Sequence, residues 1–146
     1  MAKVLAKTFI RQAESYAKKG EWEKVDNEVV PQVGTYKPEN LAHELYGLFR
    51  SKNPDVRDLA GTLAAKVDVK QLSEKERLKL RGLLQKTLGD EHIYARFRAS
   101  LALLELGLYE PKDVSVIEHT LREIKEKEKD LSLQGLAQKY LERLKR

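Results

Sequence analysis

The chain contains no cysteine, and one methionine, one tryptophan and four prolines among its 146 residues. Without cysteine there is no disulfide, no thiolate metal ligand and no cysteine nucleophile, a usage that fits a reducing, cytoplasmic setting. No apolar run approaches the roughly 18 residues that a bilayer-spanning helix needs, so no membrane partner is expected. The opening stretch MAKVLAKTFIRQAESYAKK has no uninterrupted apolar segment of the kind a secretory leader carries, and reads as an amphipathic helix. Catalytic signatures are missing too. His43, His92 and His119 lie far apart, with no HExxH and no ligand pair at i, i+4. The eight glycines are dispersed, so no phosphate-cradling loop forms, and there is no GxSxG elbow. Glu21, Glu23 and Asp26 gather near a helix start, where the helix dipole favours acidic side chains. KEKEKD, Lys125 to Asp130, is a mixed-charge surface run. These absences lead to the expectation of a non-enzyme with no cofactor and no metal.

What is present is apolar and charged in nearly equal measure. Hydrophobic residues make up 41% of the chain and charged residues 35%, too apolar for a disordered segment and suited to thin, surface-rich helical architectures. The length fits a single domain, residues 1–146, able to bury about 68–70% of the surface its unfolded chain exposes. The net charge is +5, and it is unevenly spread: between Lys66 and Arg98 nine basic residues face five acidic ones. A surplus of that kind can attract polyanions, or it can serve as a solvated face.

Apolar residues recur at helical spacing throughout. The first helix carries Val4, Leu5, Phe9, Ala13, Tyr16 and Ala17 and stops at Gly20; the second carries Trp22, Val25, Val29 and Val33, and Pro31 should kink or end it. Pro38 opens a third helix through Leu41, Leu45, Leu48 and Phe49. Asn53 caps a fourth, with Pro54 in its first turn and Val56, Leu59, Ala60, Leu63, Ala64 and Val67 along its buried stripe. Ser73 and Glu76 form a capping box before Leu80, Leu83, Leu84 and Leu88, and Gly89 ends that helix. A sixth helix starts at Asp90 and ends at Gly107, a seventh runs from Pro111 through Ile117, Leu121 and Ile124, and LSLQGLAQKYLERLK makes an eighth.

The even-numbered helices align with one another. VRDLAGTLAAKV begins at Val56, ARFRASLALLEL at Ala95 and LQGLAQKYLERL at Leu133, offsets of 39 and 38 residues, and the fifth residue of each is alanine: Ala60, Ala99 and Ala137. A two-helix repeat of about 40 residues is the period of stacked α-solenoids.

NPDVRDLA, with ARFRAS as a looser copy, resembles the loop-and-second-helix pattern of the HEAT-repeat family: an acidic loop residue, a hydrophobic–Arg step, then a small residue. The resemblance covers roughly residues 38 to 146. It departs at the third copy, where Gln134 stands in place of the arginine, and at the N-terminal pair, which does not align. It implies an all-α, short right-handed α-solenoid of about four antiparallel helix pairs, with residues 1–36 as a divergent N-terminal cap pair and 37–146 as three pairs. It also implies that Arg57 and Arg96 occupy a structural arginine position paired with a loop carboxylate, for which Asp55 and Asp90 are the candidates. ELYGLFRSKNPDVRDLA is distantly similar to DNA alkylation-repair proteins of HEAT-like fold, but the tryptophan–aspartate signature of that family has no equivalent in the later helices.

Two functional expectations follow. One is a protein-interaction scaffold that uses the broad surface of a repeat stack. The other is DNA or RNA binding on a basic concave face, with Arg57, Lys66, Tyr94, Arg96, Arg98, Lys139 and Arg143 neutralising phosphates and stacking on bases. Trp22 is either an inter-helix anchor or an exposed platform.

Overall fold

The computed structural model describes residues 2–145, with side chains from Leu5 onward. All regular structure among the described residues is helical. α1 spans Ala2–Lys18 and ends in a turn around Gly20, whose φ of 71° lies in the left-handed region that glycine adopts without steric cost. α2 is composite: an α-turn at Trp22–Lys24, a π-turn at Val25–Val29 and a 3₁₀ segment at Val30–Thr35. Pro31 has no N–H to donate. The chain adapts by changing its winding there rather than breaking, which keeps Val25, Val29 and Val33 all buried.

The remaining helices are α3 (Pro38–Phe49), α4 (Pro54–Ala64), α5 (Glu74–Thr87), α6 (Ile93–Leu106), α7 (Val114–Lys127) and α8 (Leu131–Leu144). The Ser73 hydroxyl accepts from the Glu76 N–H at 3.1 Å. The Glu76 carboxylate takes the Ser73 hydroxyl hydrogen rather than its backbone N–H, so half of the expected box forms. Gly107, at φ 68°, terminates α6.

One continuous core runs through the helices, with Leu45, Leu59, Leu63, Leu80, Leu84, Phe97, Leu103, Ile117, Leu121 and Ile124 essentially inaccessible to solvent. Each such side chain contributes about 1.5–3 kcal/mol relative to exposure. In α1 the buried stripe is Ala6, Phe9, Ile10, Ala13 and Ala17; Leu5, expected on that face, points outward and is 56% exposed. Val4 lies outside the residues whose side chains are described.

α3 packs on α4 and α7 on α8, each across a short connection; between pairs, α4 packs closely on α6 and α3 on α5. The α4–α6 approach is tight because Gly61 sits against it. A Cβ there would lie 2.9 Å from Arg98 Cβ and 3.0 Å from the Arg98 carbonyl carbon. Ala60, Ala64, Ala95 and Ala99 are fully buried around this crossing.

The repeat seen in the sequence recurs in hydrogen bonds. The N-caps of α4, α6 and α8 are Asn53, His92 and Asp130, at the offsets of 39 and 38 residues found for the alanines. Two residues before each cap, a side chain accepts the cap residue's N–H: Ser51 Oγ from Asn53 at 3.1 Å, Asp90 Oδ1 from His92 at 2.9 Å, and Glu128 Oε1 from Asp130 at 3.2 Å. Arg57 donates to the Ser51 carbonyl at 2.9 Å. Gln134, six residues after Glu128 as Arg57 is after Ser51, donates to the Glu128 carbonyl. The glutamine at the departing position keeps the backbone contact and gives up the charge.

Candidate functional site

The expected cationic residues are mostly engaged with carboxylates. Arg57 donates through Nε and Nη2 to both oxygens of Asp90, at 2.6 and 3.0 Å, a bidentate geometry stronger than a single contact. Burial acts to raise the Asp90 carboxyl, but hydrogen bonds from Arg57 and from the His92 N–H outweigh it and hold Asp90 below its ordinary value. Asp90 is therefore the partner of Arg57. Asp55 instead lies in the first turn of α4, its N–H capped by Asn53. Arg96 turns to Glu123 on α7 at 3.6 Å, leaving its Nε buried without a partner. Arg98 faces Asp58 on α4 at 3.6 Å and lies 5.4 Å from the Phe97 ring centre. Arg143 donates to Glu105 at 2.9 Å. Among the described residues no carboxylate lies within ion-pair distance of Lys66 or Lys139; Lys66 still acts on Glu105 at longer range, and Lys139 lies over Tyr140.

Tyr94 donates its hydroxyl to Glu128, just ahead of α8, while Tyr140 and Arg143 near the end of α8 both donate to Glu105 near the end of α6. α6 and α8 thus run in the same direction and are tied at both ends. Between the ties their backbones stay apart, and α8 packs chiefly on α7.

A groove of about 690 Å³ opens at this place, lined from all four even-numbered helices. α2 supplies Trp22 and Asp26, α4 supplies Asp55, Asp58 and Thr62, and the α6 segment supplies His92, Tyr94 and Arg98. Asp130, Ser132, Leu133 and Leu136 come from the cap and first turns of α8. The spacing explains the selection: 55, 58 and 62, then 94 and 98, then 133 and 136 are i, i+3, i+4 or i+7 neighbours on one helix face, beside each buried stripe.

Trp22 is half-buried, packed against the core on one side and open to the groove on the other. The charged lining is four aspartates against one arginine, in a chain whose overall charge is positive. Burial pushes the Asp58 carboxyl up to about 6; Arg98 and the Thr62 hydroxyl pull it down, and Asp55 and Asp26 push it further up. The Nδ1 of His92 is buried without a hydrogen-bond partner.

A second depression, of about 730 Å³, lies on the loop side of the α3–α4 and α5–α6 pairs. Arg50, Lys52 and Lys86 line it around the Arg57–Asp90 pair, together with Glu91 and the apolar Phe49 and Leu83.

The site residues read from the sequence are thus divided. Tyr94 and Arg98 reach the groove, whereas Arg57, Lys66, Arg96, Lys139 and Arg143 lie elsewhere. Asp26, Asp55, Asp58, Asp130, Leu133 and Leu136 line it without having been singled out for binding. At the repeat offsets only Asp55, Tyr94 and Ser132 fall at one equivalent position of all three aligned helices; no other lining position recurs in all three. Among the described residues, no three His, Asp or Glu side chains converge as a metal site, and no helix is long and apolar enough to cross a membrane. No family model, no curated protein and no solved structure matches the chain.

Proposed function

We propose that the chain is a non-catalytic protein-interaction module of HEAT-repeat type. In this reading it is a short right-handed solenoid of four antiparallel helix pairs whose even-numbered helices line a concave groove for a segment of a partner protein. The observation that carries the reading is the groove itself, to which every pair contributes its second helix. The repeated caps at Asn53, His92 and Asp130, with their matching loop hydrogen bonds, support the stacked-repeat arrangement. Trp22, Tyr94, Leu133 and Leu136 supply the aromatic and apolar area that a partner segment buries.

The test is the binding of a partner captured by the intact protein, compared with Leu133→Asp, which places a charge on the groove wall at a half-buried position. Loss of the partner with helical circular dichroism retained supports the module. Equal binding by the variant removes the groove from the reading.

A second reading, nucleic-acid binding, draws on the loop-side depression, which Arg50, Lys52 and Lys86 line. It differs in its response to salt. A phosphate binder on duplex DNA loses about 0.9 log units of affinity per log unit of salt for each phosphate neutralised. Lys52→Glu with Lys86→Glu would abolish such binding and leave groove binding intact.

A further inference from the structure

Resting on the module reading, we propose that the groove's occupant is a lysine- or arginine-bearing segment of a partner polypeptide, its cationic groups matched to Asp26, Asp55, Asp58 and Asp130 and its aliphatic stems to Trp22 and Tyr94.

Charge complementarity carries the choice. The chain is basic as a whole, with a formal charge of +5, yet the charged lining of this groove is four carboxylates against Arg98, and Arg98 already faces Asp58. The imbalance sits inside a concavity, where low-dielectric walls focus a field and strengthen its pull on a cation. Burial is the main reason the Asp58 carboxyl is raised, and the neighbouring Asp55 and Asp26 carboxylates add to it; an incoming cation favours the ionised form of all three.

The remaining lining fits the same chemistry. An indole and a phenol ring attract ammonium and guanidinium groups through their π faces and also cover aliphatic stems. The carboxylates come from α2, α4 and the α8 cap and do not converge as a metal site. Spread charges of this kind suit several positive groups carried along an extended chain better than one point ion. The same lining repels nucleic acid.

The lone tryptophan makes the test direct, because the intrinsic emission of Trp22 reports on the groove without a label. The full chain is titrated with a short Gly-spaced Lys/Arg peptide, an acidic peptide of equal length, spermidine and a single-stranded oligonucleotide. The expected result is a saturable change with the basic peptide alone, weakened about tenfold in Asp55→Asn/Asp58→Asn. Glu74→Gln/Glu126→Gln makes the same change in net charge away from the groove and should leave the titration unaltered. Circular dichroism verifies that each variant is folded.

Equal loss in both double variants would overturn the proposal, since attraction would then follow net charge rather than the groove. Spermidine binding as tightly as the peptide would overturn it in favour of a small polyamine. A partner that is lost on Leu133→Asp but presents a neutral or acidic segment would overturn the proposal and leave the module reading intact. Failure of every partner to respond to Leu133→Asp would remove both.

Discussion

The two junctions between the last three helix pairs are built differently. Where α4 meets α6 the backbones approach closely, with Gly61 against the Arg98–Ala99 backbone, buried alanines on either side, and the Asp58–Arg98 and Arg57–Asp90 ion pairs at the margins. Where α6 meets α8 the contact is polar and confined to the ends, Tyr94 to Glu128 at one and Tyr140 with Arg143 to Glu105 at the other. The same alanine recurs in all three helices and is fully buried in each, yet it sits at a tight crossing in one case and next to a groove in another. A repeated residue therefore marks a repeated register, while its neighbours decide how near the next helix comes.

The largest expected contrast between the junctions lies in their arginines. Arg57→Gln breaks a bidentate pair of which Asp90 is only 9% exposed, and should cost about 3 kcal/mol, read as a lowered midpoint in denaturant unfolding. Arg96→Gln, at the equivalent position but with a looser 3.6 Å contact, should cost under about 1 kcal/mol. Equal losses would mean that both junctions rely on charge alike.

Next comes Asp58, which bridges the first junction from the groove side. Its carboxyl ionises near 6 when folded, against an ordinary 3.8. Between those values the folded protein keeps a proton that the unfolded chain has lost, so this residue's contribution to stability falls as pH rises through the window. The total effect is on the order of 2–3 kcal/mol. Thermal melts of Asp58→Asn should lack this slope, with the variant the more stable protein above pH 6; an unchanged slope would remove Asp58 as its source. Asp55, Asp26, Arg98 and Thr62 are the groups that set its value.

Gly61→Ala follows. Its new methyl meets backbone at 3.0 Å, and the overpacking outweighs the gain in helix propensity, for a net loss of about 1–2 kcal/mol in denaturant unfolding. A smaller loss, about 1 kcal/mol, is expected for Tyr140→Phe, which cuts one of the two donors to Glu105 at the second junction. The smallest change has the opposite sign. Gly135 on α8 has nothing within 4 Å of a built Cβ, so Gly135→Ala should raise the melting temperature by up to a few degrees. If it destabilises instead, α8 is packed more tightly than the contrast allows.

Much of the helical layout was legible in sequence because its signals are local. Asn53 and Gly107 act where their chemistry places them, and the stripes of α3 and α4 bury as spaced. Other features depend on neighbours. Leu5 has helical spacing but no helix to cover it, while Ala6 and Ile10 take the core positions. Read along the chain, Asp90 stands at the opening of α6. It lies two residues before the cap, where one carboxylate serves both the His92 N–H and Arg57, 33 residues back. The groove was the least legible part. Asp55, Asp58 and Asp130 read as solvated polar positions on their own helices, and only the lean of α8 onto α7 gathers them around one space.

The ties across the α6–α8 gap have a mechanical consequence. A slot fastened at both of its ends keeps a fixed aperture, so widening it to admit a thicker guest would cost the hydroxyl contacts of Tyr94 and Tyr140. In the proposed reading, girth as well as charge then sets which chains fit, and loosening either fastening should widen the range of guests at a modest cost in stability.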